Sequence, residues 1–373
     1  MAALPPPSNT TGAVIDQAWH DAQPSNHRMH LGASVIGSEC RRALWYGFRW
    51  VTDIKHPGRL LRLFNRGHEE ENRFARDLQM IGVEFVDVDP TTGNQFVYSA
   101  LGGHFGGSGD GLARGVPEAQ NTPHIVEMKT HALKSFTHLA KHGVQESKPQ
   151  HYIQMQMYMH WQGFERALYM AVCKNDDQLY TERVKYDQVV ALQHIAKAEQ
   201  IIFSPTPPAR MNDDPGFYLC GWCDHKDTCH ADKAGALNCR TCISATPLAS
   251  GGWECDQVKG QLIPEDSMRT GCQAHRYMPE LLPHSRPISA SGRDITYQVI
   301  ATDREYVNGP KADASYPSAE LQHLAPAQIA SPGIDLLREA FDGQVAETTN
   351  KPFCEVCRDK GGFDCEGCAG IPF

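Results

Sequence analysis

Three residues carry spacing suited to metal-assisted phosphoester chemistry: Asp110 in GSGDG, and Glu127 and Lys129 in IVEMK. Glu127 and Lys129 alternate out of an apolar run, and the two-residue period of a strand sets both on one face. Val126 and Met128 then turn to the core. If the segment ending at Asp110 pairs with that strand, Asp110 and Glu127 converge on one divalent cation with Lys129 beside it. Paired carboxylates are hard oxygen donors that suit Mg²⁺ or Mn²⁺. Such an ion polarises a phosphoryl oxygen and lowers the pKa of a bound water, and a neighbouring ammonium stabilises charge developing on phosphorus. Upstream, Glu71 in RGHEEENRFA is a candidate third carboxylate. Downstream, Gln154 and Tyr158 in HYIQMQMYM lie four apart, on one helix face, able to steady the site or touch DNA. Each feature alone has an ordinary reading. A Glu-x-Lys on a strand is a solvated face, an Asp-Gly is a turn, and Glu69 to Glu71 is a wet helix surface. Their combination in this order points to chemistry.

The thirteen cysteines form a second pattern, with only Cys40 and Cys173 ahead of Cys220. No run approaches the roughly 20 apolar residues of a membrane helix. The N-terminus MAALPPPSNTTG lacks the basic region and apolar run of a secretory signal. A cytoplasmic protein without membrane contact is expected, and there thiols stay reduced and serve as metal ligands. Cys220, Cys223 and Cys229 form a C-x2-C-x5-C run, and with the distant Cys40 make four thiolates. Such a set holds a cubane [4Fe-4S] cluster, or zinc, with His225 or His230 able to replace a thiolate. Cys239, Cys242, Cys255, Cys272 and His275 offer five ligands to a four-coordinate Zn²⁺; the four cysteines are favoured, with His275 as substitute. Cys354, Cys357, Cys365 and Cys368 have the paired spacing of a zinc knuckle. Arg358 and Lys360 are a thin cationic footprint against its acids, so protein contact or a structural role suits it as well as DNA. Cys173, on an apolar run, reads as a core residue.

The elements that must position these groups read as a mixed α/β core. A helix follows the LGAS segment near residue 31, and another covers 57–81. Short strands follow at VEFVDVD, QFVYSAL, GHFGGSGDGLARG and HIVEMKT. Residues 133–163 read as two helical pieces broken near Gly143 and Pro149. RALYMAVCKN and LYTERVKYD form a hairpin over Asn175–Asp176, and 187–203 is a helix. The expected organisation is a loose arm over 1–30, a core over 31–235 and a cysteine-rich zinc module over 236–300. A linker rich in Ala, Pro and Ser follows over 301–345, and the knuckle over 346–373. The hydrophobic fraction of 41% and charged fraction of 21% are those of a globular protein. Net charge is −9, but residues 1–235 carry 23 Lys+Arg against 26 Asp+Glu. Most of the acidity sits in the last third, so charge neither supports nor excludes a nucleic-acid partner.

From Leu31 to Cys229 the chain resembles the RecB-like, lambda-exonuclease-type branch of the PD-(D/E)xK nucleases. Gly67 with Glu71, Asp110, Glu127-x-Lys129 and Gln154-x3-Tyr158 match that branch's motifs in order. The resemblance implies an α/β restriction-endonuclease-like core, with a mixed central sheet flanked by helices. It also implies Mg²⁺- or Mn²⁺-dependent hydrolysis of DNA in recombination, repair or phage replication, exonucleolytic by preference. Recombination or replication proteins would be partners. Cys40 with Cys220, Cys223 and Cys229 resembles the iron–sulfur staple of AddB-type members, and Ser34 with Arg41 or Arg42 would contact a DNA phosphate. The alternative is a non-catalytic DNA-binding or scaffolding protein on a nuclease-like core; intact Asp110, Glu127 and Lys129 weigh against it.

Overall fold

The computed structural model describes residues 10–23 and 27–340. The knuckle cysteines Cys354, Cys357, Cys365 and Cys368 lie outside the described residues. The chain opens with α1 (Thr11–Asp21), β1 (Leu31–Gly32), α2 (Arg41–Phe48) and α3 (Gly58–Met80). Next come β2 (Glu84–Val86), β3 (Phe96–Ala100), β4 (Phe105–Gly109), β5 (Gly111–Arg114) and β6 (His124–His131). Helices α4 (Leu133–Ser147) and α5 (Pro149–Gln162) lead to β7 (Arg166–Cys173), β8 (Leu179–Lys185) and α6 (Gln188–Ile202).

The central sheet has the order β2-β5-β6-β7-β8. Strands β6 and β7 run parallel, and the other neighbours are antiparallel. The parallel pair requires a long crossover, which α4 and α5 supply. Both helices follow from local chemistry. Gly143 adopts φ 74° and kinks α4, Pro149 opens α5, and Gly163 in the left-handed conformation ends it.

Period-two alternation splits the sheet's side chains between two layers. Val126, Met128, Leu168, Met170 and Val172 share one apolar cluster with Phe74 and Leu78 of α3. Ile125, Tyr169 and Ala171 belong to the other cluster, with Phe136 and Leu139 of α4 and Met155 and Met159 of α5. A second sheet, β1-β4-β3, continues the chain path into the first, because β4 ends at Gly109 and β5 begins at Gly111. Asp110 stands at that junction.

Two expected boundaries differ from the structure. The arm over 1–30 contains α1, where Thr10 caps the helix by accepting from the Ala13 N–H. Asp16 pairs with Arg62 of α3 at 3.0 Å. The reading as a loose arm missed a short amphipathic pattern bracketed by Pro and Asn. The linker expected over 301–345 is likewise structured across its described part, 301–340. After α7 (Tyr218–Gly221) and α8 (Lys226–His230) come β9 (Ala245–Pro247), β10 (Trp253–Cys255) and α9 (Glu265–Thr270). A four-stranded sheet then forms from β11 (Ser285–Ser291), β12 (Asp294–Val299), β13 (Glu305–Asn308) and β14 (Ser315–Tyr316). Two of its strands lie inside the expected linker. Tyr306, Tyr316, Leu321 and Ile329 are buried, and these few large anchors override an Ala/Pro/Ser-rich composition. One apolar cluster runs from Leu31 to Ile334, so position 235 divides no core.

The seam between the cysteine-rich part and the rest is cationic and aromatic. Arg240 is wholly buried, with its guanidinium 3.8 Å from the centre of the Trp50 ring and 4.8 Å from Trp253. It donates to the Phe48 carbonyl at 2.8 Å and the Met29 carbonyl at 3.0 Å. Arg49 lies beside it, over Trp45, and donates to the Arg240 carbonyl. Neither arginine has a carboxylate within ion-pair distance among the described residues.

Candidate active site

The β5–β6 register sets Gly111 opposite Val126, which brings the preceding Asp110 level with Glu127. Gly111 has φ +154°, and a Cβ there would lie 2.5 Å from the Phe85 ring. A glycine at this point lets the chain leave one sheet for the next directly after Asp110. Asp110 Oδ2 accepts from the Met128 N–H at 2.7 Å, which fixes the carboxylate against β6.

Glu127 is entirely buried, on the α4/α5 side of the sheet. Neither of its oxygens has a hydrogen-bond partner of ordinary geometry; the Lys129 ammonium makes a close ion pair with Oε1. Lys129 also lies 3.7 Å from Asp110 Oδ2 and donates to the Met128 carbonyl at 3.0 Å. Burial pushes the Glu127 carboxyl up to about 8, with Lys129 opposing and Asp110 and Glu71 reinforcing the shift. For Lys129, burial alone would lower the ammonium, but Glu127 and Asp110 outweigh it and hold the group above its ordinary value. Glu71, on α3, faces the same place. Burial and then the charge of Asp110 raise its carboxyl, against the pull of His68, whose Nδ1 is 3.5 Å away. Among the described residues, no three His, Cys, Asp or Glu side chains are drawn close enough to form a ready metal cage. At Glu127 the cation in contact is the Lys129 ammonium.

A cleft of about 690 Å³ lies in front of Glu127, lined in part by Glu71, Asp110, Lys129, Gln154 and Tyr158 but not by Glu127 itself. Gln154 donates to the Tyr158 hydroxyl at 3.2 Å, one helical turn apart. Tyr158 stacks on Tyr98 with ring centres 5.0 Å apart. Gly107 of β4 passes so near that a Cβ would sit 2.6 Å from the Tyr158 hydroxyl oxygen. Gly107→Ala is therefore expected to displace Tyr158 and Gln154. Its steady-state kinetics should show kcat/KM down by about tenfold, with the far-ultraviolet circular dichroism unchanged.

Ser34 lines this cleft and accepts from Arg28 at 3.3 Å. Arg41 and Arg42 are not among its lining residues. Arg41 donates to Gln200, and Arg42 donates to the Tyr46 hydroxyl and the Pro208 carbonyl. Sequence reasoning missed Arg28, His30 and His151, which do line the cleft. The first two fall in the segment taken for a loose arm, and lone basic residues there carried no periodic signal.

Cys40, Cys220, Cys223 and Cys229 all line one further cavity, of about 890 Å³. Cys40 also caps α2, its Sγ accepting from the Ala43 N–H at 3.4 Å. Burial raises the thiols of Cys220 and Cys223, and Cys40 and Cys229 lie near enough to add to that shift. His225 Nδ1 is engaged with Thr52 at 2.9 Å. In the second set, burial and then Cys272, Cys242 and Cys255 push the Cys239 thiol up to about 12. His275 turns Nε2 to Thr241 at 3.2 Å. The described cysteines are free thiols, and Cys173 is buried in the core.

No family model matches the chain, and no curated protein does either. Among solved structures, the alkaline exonuclease LHK-Exo from Laribacter hongkongensis is 17% identical with a TM-score of 0.32, over 50% of this chain and 90% of that one. The same enzyme in complex with dAMP gives 18% and 0.34 over the same shares. The crystal structure of SSO0001 gives 13% and 0.36, over 60% of this chain and 98% of that one. At these scores the likenesses decide neither fold nor function. No helix among the described residues is long and apolar enough to cross a membrane.

Proposed function

We propose that this chain is a metal-dependent deoxyribonuclease, an exonuclease by preference, of the PD-(D/E)xK type, acting in recombination, repair or phage replication. The observation that carries the reading is Lys129 within ion-pair reach of both Asp110 and Glu127, with Asp110 and Lys129 lining the cleft and Glu127 buried behind them. A fully buried carboxylate whose oxygens lack ordinary hydrogen-bond partners is costly to keep ionised, and a hard divalent cation is the partner that would offset that cost. Asp110 and Glu127 would hold Mg²⁺ or Mn²⁺, with Glu71 as the third carboxylate. Bound there, the ion would supply Lewis-acid polarisation of a phosphodiester and an activated water. For its part, the chain fixes Asp110 through the Met128 N–H, keeps Glu127 away from bulk water, and holds Lys129 as an ammonium. Freed from Glu127, that ammonium would face the charge developing on phosphorus. Gln154 and Tyr158 would position the strand.

Cys40, Cys220, Cys223 and Cys229 line one cavity and, drawn together as thiolates, would hold an iron–sulfur cluster, with zinc as the alternative. Cys239, Cys242, Cys255 and Cys272 would hold Zn²⁺, and His275, turned to Thr241, would stay outside the set. The knuckle cysteines would hold a further Zn²⁺. A cytoplasmic setting and recombination or replication partners complete the reading.

A pH test follows from Glu127. Its carboxyl must lose its proton to take a dication, and its pKa stands at about 8. Mn²⁺-supported cleavage of end-labelled DNA should therefore rise with pH from about 6 and level off above about 8. The proton released on Mn²⁺ binding is measurable by calorimetry in buffers of different ionisation enthalpy. A cleavage rate flat from pH 6 to 9, with no proton released, would contradict the role of Glu127.

A further inference from the structure

Behind Lys129 a chain of hydrogen bonds links α4, the sheet and α5 to the cleft. Lys148 Nζ donates to Ser135 Oγ at 2.7 Å. Ser135 Oγ meets His131 Nδ1 at 3.1 Å, and His131 Nε2 meets the Tyr169 hydroxyl at 2.9 Å. That hydroxyl meets His151 Nδ1 at 2.9 Å. His151 lines the cleft, and its Nε2 has no hydrogen-bond partner among the described residues.

The chain has a direction set at its far end. An ammonium has three donors and no acceptor, so Ser135 Oγ must accept from Lys148. The Ser135 oxygen keeps a second lone pair, but among the described residues His131 Nδ1 is the partner within reach of its hydroxyl proton, and with that bond made Nδ1 accepts. A neutral imidazole that accepts at one nitrogen donates at the other. His131 Nε2–H therefore donates to Tyr169, and Tyr169 donates its one proton to His151 Nδ1. Both rings are held neutral: burial, then Lys148 and Lys129, brings His131 down to about 4, and burial, then Lys129, brings His151 down to about 3. The proton of His151 is left on Nε2, the nitrogen without a partner.

We propose that His151 is a catalytic-site residue that presents a fixed neutral N–H donor to a non-bridging phosphate oxygen of the DNA backbone, with its tautomer imposed from Lys148 through Ser135, His131 and Tyr169. The phosphodiester part rests on the nuclease reading above; the polarity of the chain does not. A neutral donor recognises a phosphate oxygen without adding a second cation beside Lys129. Reversed polarity would leave a bare lone pair on His151 Nε2, repelling phosphate and suiting a general base instead.

The test is the nitrogen spectrum of ¹⁵N-histidine-labelled full-length protein near neutral pH, with His151→Gln used to assign the ring. The expected result is the Nε2–H tautomer at His151, with Lys148→Met shifting it toward a mixture although the two side chains are joined only through four hydrogen bonds. A His151 ring protonated on Nδ1, or one unmoved by Lys148→Met, would overturn the imposed tautomer. In cleavage of a single-stranded oligonucleotide, His151→Ala should lower kcat/KM by about tenfold or more, while His151→Gln, whose amide can donate, recovers most of it. An Nε2–H tautomer together with full activity in His151→Ala would overturn the phosphate contact alone. Absence of any cleavage by the wild type would remove the nuclease reading and leave the tautomer result standing.

Discussion

Glu127→Gln is expected to remove metal-dependent cleavage by about a thousandfold or more while leaving the chain folded. The two expectations share one cause. Glu127 is wholly buried on β6, and burial favours its neutral form. Glutamine has the same shape as that neutral carboxyl, so the sheet and its helices lose little. What goes is the negative charge that the ion pair with Lys129 and a dication both require. The stability arm has a definite sign. A carboxyl whose folded pKa is raised contributes stability fully present below the unfolded value, and loses it as pH climbs through the folded value. For Glu127 that loss runs from about 4.5 to about 8. The stability of Glu127→Gln relative to wild type should therefore improve steadily between pH 5 and 8 in urea titrations. A variant that keeps its activity, or whose relative stability falls with rising pH, would show that Glu127 is not held as described.

Arg240→Ala is expected to be the most destabilising single change among the described residues. Its guanidinium lies over Trp50, Trp253 and Phe48 and serves the carbonyls of Phe48 and Met29. Truncation leaves the buried Phe48 carbonyl and the half-buried Met29 carbonyl without this donor, at about 1–3 kcal/mol for the first and less for the second, and removes a desolvated cation–π contact worth about 2 kcal/mol. A total on the order of 4 kcal/mol would lower Tm by roughly 6 °C for a chain of this size. Arg240→Lys keeps the charge but not the planar fork, and should fall between the two. Calorimetric scans of the three proteins, with metal content matched, would check the order. An Arg240→Ala protein melting with the wild type would mean that the seam near Trp50 does not hold the cysteine-rich part to the core.

Much of the site was legible because its signals are local. Period-two alternation marks β6 and sets Glu127 beside Lys129 on one face, and the i, i+4 spacing pairs Gln154 with Tyr158. Gly143 and Pro149 mark the kink in α4 and the start of α5 where they occur. Sequence alone did not show that the Glu127 face is fully buried, because that depends on α4 and α5 folding back over the sheet. The chain from Lys148 to His151 was invisible for the same reason: His131 and Tyr169 are 38 residues apart and meet only through the parallel β6–β7 pair. Arg240 carried no signal in the sequence, because two of its three aromatic partners, Phe48 and Trp50, lie about 190 positions upstream. The strands inside 301–345 were hidden by composition, since Tyr306 and Tyr316 are sparse anchors in a stretch that reads as linker.

The most direct measurement is cleavage of end-labelled single- and double-stranded DNA by the anaerobically purified protein, with Mg²⁺ or Mn²⁺, beside Asp110→Ala and Lys129→Ala. Metal-dependent cutting by the wild type that disappears in both variants is the result predicted here. A folded, metal-replete wild type that binds DNA and leaves it intact would contradict the account and favour a scaffolding role.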